Sequence, residues 1–279
     1  MADTVGFVLG GGGVLGASHL GMMRALMEAG VTPDIIVGTS IGAFNGAYLA
    51  SAPTLATVDA LEHLWRTTLA TGKAFRPGAW ETMRNVARSR THLLSTKVFA
   101  DFVDAHLPVS TFEELEVEFQ CVAASIEKAQ ARWFTSGALR DPILASCALP
   151  PFFAPVVIDG EHHYDGGLVD SIPLGQAVRL GASIVYVLQV GRVENPMVVP
   201  RNFAGVALAT FEIARRHNFT DALAHVPEGV EVHVLPTGAD EAGVLTTFGH
   251  GQEDKMAARI DLAHAATQAY LTEGAPGPV

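Results

Sequence analysis

Two consecutive segments of this chain follow one pattern, an apolar run, a glycine turn and a run of helical periodicity, and that pattern restricts the architecture more than any other feature. Val5 to Leu9 reads as a short buried strand entering Gly10 to Gly13. Leu20, Met23, Leu26 and Met27 then recur at helical spacing between Ser18 and Ala29, and Gly30 stops the helix. Pro33 to Val37 is a second strand, Gly38 opens a second sharp turn, and Ile41 to Ala50 is a second helix. Repeated strand, turn and helix imply crossover connections, so the strands run parallel. The expected fold is α/β, three-layered, with a mainly parallel central sheet flanked by helices.

From about 54 to 117 the chain reads as a helical insertion or cap, with helical runs at Val58 to Leu69 and Thr96 to His106. Strands resume at Glu118 to Ile126 and Gln130 to Thr135, close enough for a hairpin, and at Val156 to Ile158 and Ile184 to Val190. Glu194 to Pro200 is a Pro-containing loop. A helix near Phe203 to Arg216, a strand at Val230 to Leu235 and a helix from Gln252 to Leu271 follow, the last with Met256, Ile260, Ala263 and Tyr270 on one face. The expectation is a single domain over 1–272 and a frayed Gly/Pro-rich tail over 273–279.

Composition excludes several function classes. Apolar residues make up 49% of the chain and charged residues 17%, enough apolar surface for a large core. The formal charge of -11 argues against a nucleic-acid partner and, on average, against an anionic membrane, although a local apolar patch can still touch lipid transiently. Cys121 and Cys147 form no CxxC pair, which fits a reduced compartment. The N-terminus lacks a basic n-region, and the longest apolar stretches are too short or too Pro-broken to span a bilayer. A cytoplasmic protein, peripheral at a membrane at most, is expected. No metal-ligand cluster and no cofactor is read, and the number of subunits is left open.

Three motifs carry chemistry. Gly38-Thr39-Ser40-Ile41-Gly42 is a GxSxG pentapeptide between a strand and a helix, the setting in which a serine hydroxyl is held exposed on a strained turn. An inert serine in a glycine turn is the plainer alternative. Gly10 to Gly13, continuing to Gly16, presents backbone N-H donors at a helix start, suited to a pyrophosphate or to the oxyanion of an acyl-transfer intermediate. Gly11-x-Gly13-x-x-Gly16 also satisfies the dinucleotide pattern, but that reading needs an acid at the end of the next strand. There the chain has Gly38-Thr39-Ser40, with Asp34 at the strand's start, which favours the oxyanion. Asp165 precedes Gly166 and Gly167; alone this is a turn, but beside a serine that needs a base a buried Asp serves if its pKa is raised.

Gly10 to Gly21, Asp34 to Ala47 and Leu139 to Ala182 together resemble the three signature blocks of the patatin-like phospholipase family, the third close to its bacterial branch. The resemblance implies a Ser-Asp dyad without histidine, Ser40 as nucleophile and Asp165 as base. It also implies an oxyanion hole from Gly11, Gly12 and Gly13, supporting roles for Gly16, Gly38, Gly42, Gly166 and Gly167, and hydrolysis of lipid acyl esters of the phospholipase A, lysophospholipase or esterase type. One departure is Leu15, where the family commonly has Arg or Lys. The backbone N-H survives there, but any charge-based help with an anionic headgroup is lost.

Other assignments stand beside this one: a dinucleotide-binding oxidoreductase, a non-catalytic lipid-binding module, and a triad using His162, His163 or His250. His162 and His163 read as surface-strand residues and His19 as a packed helix residue. Ser146 reads equally as support for the site or as helix surface. Phe152, Phe153 and Val156 read as core or as acyl-channel lining. Leu61, Leu64, Trp65, Val98 and Phe102 read as cap core, some of them available for a lipid-facing rim.

Overall fold

The structure, a computed structural model, describes residues 3–69, 96–191, 196–197, 199–201, 203–238 and 252–273. Eight strands form one sheet: β1 Val5–Leu9, β2 Ile35–Thr39, β3 Glu118–Ser125, β4 Gln130–Phe134, β5 Val156–Ile158, β6 Glu161–Asp165, β7 Ile184–Leu188 and β8 Glu231–Val234. The helices are α1 Ala17–Glu28, α2 Ile41–Ala50, α3 Leu55–Leu64, α4 Thr96–His106, α5 Arg140–Ser146, α6 Leu174–Arg179, α7 Phe203–Ala224 and α8 Gln252–Glu273. Strands β3, β2, β1, β7 and β8 are mutually parallel in that order, and β4, β6 and β5 add an antiparallel flank.

Alternation along the buried strands sorts side chains to two cores, as a sheet covered on both faces requires. Phe7, Leu9 and Ile36 face a cluster built with α1, α2, α3, α4, α5 and α8. Val8, Ile35 and Val37 face the other, with Ala177 from α6 and Phe219 from α7. The expected three-layer α/β arrangement is the observed one.

Several details differ from expectation. Helix α7 runs on to Ala224, past Arg216. Helix α6 had no clear signature because six residues give too little periodicity to read. In the cap, α3 starts at Leu55, where the Thr54 side chain accepts from the Thr57 N-H, and it passes into a π turn at Trp65–Leu69. Leu61, Leu64, Trp65 and Phe102 are buried, but Val98 is 40% exposed and is not core. His163 is fully buried rather than on the surface, its ring edge-on to Phe134, because β6 is covered by neighbouring elements on that face. Glu273, placed in the expected tail, is instead the last residue of α8. Residues 274–279 of that tail, 194, 195 and 198 of the expected loop, and 70–95 of the insertion lie outside the described residues.

Candidate active site

The register of β3 places Ser40 and Asp165 together. Cys121 and Val122 pair with β4 on one side and β2 on the other, while Ala123, Ala124 and Ser125 pair with β4 and β6. Strands β2 and β6 therefore share one edge of β3 and meet end to end, Thr39 opposite Val122 and Asp165 opposite Ala123. A residue that follows β2 must then stand beside the last residue of β6.

Ser40 is that residue. Its φ of 56° and ψ of -127° are strained for a side chain with a Cβ, and α2 begins immediately after it. The turn closes only because its flanks are glycine. A Cβ on Gly38 would stand 2.8 Å from the Ala43 Cα, and one on Gly42 would stand 2.9 Å from the Gly10 carbonyl oxygen. Ser40 Oγ donates to Asp165 Oδ2 at 2.7 Å, and Asp165 Oδ1 accepts from the Gly167 N-H at 2.8 Å. Ser40 is 9% exposed and Asp165 1%. Burial raises the Asp165 carboxyl to about 7, with the Gly167 N-H and the Ser40 hydroxyl pulling the other way. Ser146 on α5 is buried, and its Oγ accepts from the Ser40 N-H at 2.8 Å, so of its two readings the supporting one describes its position.

The glycine turn lies beside this pair. A Cβ on Gly11 would be 3.2 Å from the Ser40 Cβ. The Gly11 N-H, one of three expected oxyanion donors, is instead committed to the Ser171 carbonyl at 2.9 Å. The Gly12 and Gly13 N-H groups donate to no acceptor among the described residues, and Gly13 has a φ of 56°. The supporting glycines all lie at close contacts: Gly16 against the Ile41 side chain, Gly166 against the Val122 backbone, and Gly167 against Phe211 and the Asp165 carboxylate. The Leu15 side chain, where a basic residue was the alternative, is buried.

The sequence did not signal how the glycine turn is anchored. Trp65 Nε1 donates to Asn45 Oδ1 at 2.9 Å, and Asn45 Nδ2 donates to the Gly16 carbonyl at 3.1 Å and lies 3.2 Å from His19 Nδ1. His19 is packed behind the turn as expected. Its pKa is lowered to about 3, chiefly by burial, so it stays neutral. The one available clue was Asn45, a polar residue on an otherwise apolar helix.

The alternatives fare differently. His162 bonds the Glu127 carboxylate at 2.6 Å, and among the described residues no histidine is bonded to Ser40 Oγ or to the Asp165 carboxylate. His250 lies outside the described residues. Asp34 precedes β2 rather than ending it as a dinucleotide site requires, and it accepts from the Val5 N-H at the opposite end of the strands from the glycine turn. Phe152, Phe153 and Val156 are partly buried, and among the described residues no group of His, Cys, Asp and Glu is arranged to hold a metal ion.

A family model described as "Patatin-like phospholipase" matches residues 7–178. The chain is similar to Lysophospholipase nte1 of Aspergillus terreus, 31% identical over 192 residues that cover 69% of this chain and 12% of that protein. It is also similar to Lysophospholipase nte1 of Emericella nidulans, 27% identical over 229 residues covering 82% and 14%. The chain thus spans a small part of these relatives. Among solved structures, human GIVD cytosolic phospholipase A2 in complex with methyl gamma-linolenyl fluorophosphonate and terbium chloride is similar with a TM-score of 0.53 at 13% identity, covering 97% of this chain and 58% of that one. VipD from Legionella pneumophila has a TM-score of 0.52 at 16% identity, covering 98% and 67%. At these identities the likeness is one of fold.

Proposed function

The chain belongs to the patatin-like phospholipase family, and from that premise we propose that it is a serine hydrolase of lipid acyl esters, with lysophospholipids as its first substrate class. The observation that carries this reading is the 2.7 Å hydrogen bond from Ser40 Oγ, on its strained turn, to a carboxylate buried enough to act as a base near neutral pH.

Asp165 accepts the Ser40 proton as Oγ bonds to the ester carbonyl carbon. The carbonyl π pair moves to oxygen, and the oxyanion is met by the N-H groups of Gly12 and Gly13, helped by the N-terminus of α2. Each such donor is typically worth about 2.7 to 4 kcal/mol in the transition state. The C-O bond to the alcohol then breaks and Asp165 returns its proton to the leaving oxygen. Water, deprotonated by the same carboxylate, attacks the acyl-serine; the fatty acid leaves and Ser40 Oγ recovers a proton. No step calls on a third side chain. Similarity to the fungal lysophospholipases supports the lysophospholipid assignment.

We further propose that residues 1–272 fold as one unit with 54–117 as its helical insertion, which supplies Trp65 to the anchor of the glycine turn. No helix among the described residues is long and apolar enough to cross a membrane, and a transient lipid-surface contact fits the substrate class. The test is covalent labelling with a fluorophosphonate probe alongside release of fatty acid from lysophosphatidylcholine. Wild type labels and turns over, and Ser40→Ala does neither. An unlabelled wild type, or a Ser40→Ala protein labelled as strongly, refutes the proposal.

A further inference from the structure

Arg215 on α7 is among the largest fully buried side chains of the molecule, 1% exposed. Burying a guanidinium is costly unless hydrogen bonds repay it, and three are present. Nη2 donates to the Val190 carbonyl and to Gln189 Oε1, and Nη1 donates to Glu212 Oε1 at 3.0 Å. Nε meets no acceptor among the described residues. Glu212 Oε1 also accepts from Arg216 Nε at 2.8 Å, so one carboxylate serves two guanidinium groups.

The segment that Arg215 grips continues β7 and backs the glycine turn. The Gly10 N-H donates to the Leu188 carbonyl at 3.1 Å. A Cβ on Gly10 would lie 3.6 Å from the Gln189 Cα, and one on Gly12 would overlap the Val190 side chain. The charge of Arg215 also reaches His19, on the helix that follows the turn, where it adds to burial in keeping that imidazole neutral. Arg215 thus stands behind the turn, one residue contact from Gly12.

We infer that Arg215 is a positioning residue for the oxyanion donors: its planar fork fixes Gln189 and Val190, against which Gly12 packs. An interaction of this kind matters most in the transition state, so its loss lowers kcat and spares KM.

The inference rests on the Ser40–Asp165 reading, and the experiment separates the two. Fluorophosphonate titration counts competent serines in wild type, Arg215→Lys and Arg215→Met, and kcat on a soluble p-nitrophenyl ester is expressed per titrated serine. Arg215→Met is expected to lose about tenfold or more in kcat per site with KM within about twofold, and Arg215→Lys to fall between it and wild type. A merely structural role lowers the titrated fraction and the melting temperature but leaves kcat per site unchanged. Wild-type kcat per site in both variants overturns the inference. If Arg215→Met does not fold, Arg215→Lys decides alone: a loss of about threefold or more supports the role, and a wild-type value overturns it. A wild type that cannot be titrated at all defeats the underlying hydrolase reading instead.

Discussion

Thr39 and Asp165 end two strands that meet head to head on one edge of β3, opposite the adjacent residues Val122 and Ala123. The serine that follows Thr39 and the carboxylate of Asp165 are thereby positioned by sheet register rather than by loops. Both carboxylate oxygens are engaged, one by the Ser40 hydroxyl and one by the Gly167 N-H, and among the described residues no histidine is bonded to either. Sheet-borne groups keep their geometry better than loop-borne ones. That rigidity makes the consequences of the pair's chemistry sharp enough to test.

The first consequence is a pH dependence. In the proposed mechanism Asp165 must be ionised to take the Ser40 proton, and burial raises its carboxyl to about 7. Activity is therefore expected to rise with pH through about 7 and to fall about tenfold per pH unit well below it. Asp165→Asn is expected to lower kcat by about 10³-fold or more and to abolish the limb. Measuring kcat/KM between pH 5 and 9 on an uncharged ester decides the matter; a profile flat to pH 5 excludes Asp165 as the base.

The same burial affects stability, with a definite sign. The folded state holds the Asp165 proton more tightly than the unfolded chain, whose value is near 3.8. Folding stability from this group is thus undiminished below about pH 4 and is progressively lost as pH rises toward and past about 7. Asp165→Asn keeps an acceptor for the Gly167 N-H and removes the buried charge. The variant is expected to be more stable than wild type at pH 8, by about 2 to 4 kcal/mol, with the advantage shrinking toward pH 5. Urea unfolding of both proteins at pH 5 and 8 gives the double difference, which cancels the other titrating groups. An advantage equal at the two pH values contradicts the raised carboxyl.

What the sequence disclosed follows from how local each feature is. The elbow and the glycine turn were legible because each is a strand, a turn and a helix within about fifteen residues, and because glycine is required where backbones touch. Gly42, whose Cβ would overlap Leu9 and Gly10, is such a place. The end-to-end meeting of β2 and β6 was not legible, since it depends on the register of β3, about 80 residues away from one strand and about 40 from the other. The Gly11 N-H looked available as a donor, but Ser171, far along the chain, takes it. His163 was misjudged for the same reason, and the choice between core and rim for Val98 stayed open: polar and apolar character do not say which face a neighbouring element will cover.

Two glycine substitutions separate folding from catalysis. A Cβ on Gly42 meets main-chain atoms of Leu9 and Gly10, which cannot move without displacing β1, whereas a Cβ on Gly12 meets a side-chain methyl of Val190. Gly42→Ala is expected to destabilise by about 3 kcal/mol or more and to yield little folded protein. Gly12→Ala is expected to fold, with a loss of about 1 kcal/mol, but to shift a donor N-H and reduce kcat by about 10²-fold. Thermal melts and turnover per folded molecule distinguish these outcomes. Equal loss of stability in both variants contradicts the assignment of separate tasks.

Ser146 supplies the remaining test, because it bonds the main chain of Ser40 and not its hydroxyl. The Ser40 N-H donates to Ser146 Oγ at 2.8 Å in a buried setting, and Ser146 itself is fully buried on α5. Replacing it with alanine leaves that N-H without a partner, at a cost of about 1 to 3 kcal/mol. The residue losing the partner is the one held at a φ of 56°, so part of the cost is relieved by relaxing the elbow. Relaxation tilts Oγ away from Asp165 Oδ2 and from the line of attack on a bound carbonyl. Ser146→Ala is therefore expected to lower kcat by about tenfold, to change KM little, and to slow fluorophosphonate labelling in proportion to kcat. Kinetics and labelling rates measured on the same preparation check this. A lowered melting temperature with labelling and kcat both intact makes Ser146 a packing residue and leaves the elbow supported by its glycines alone.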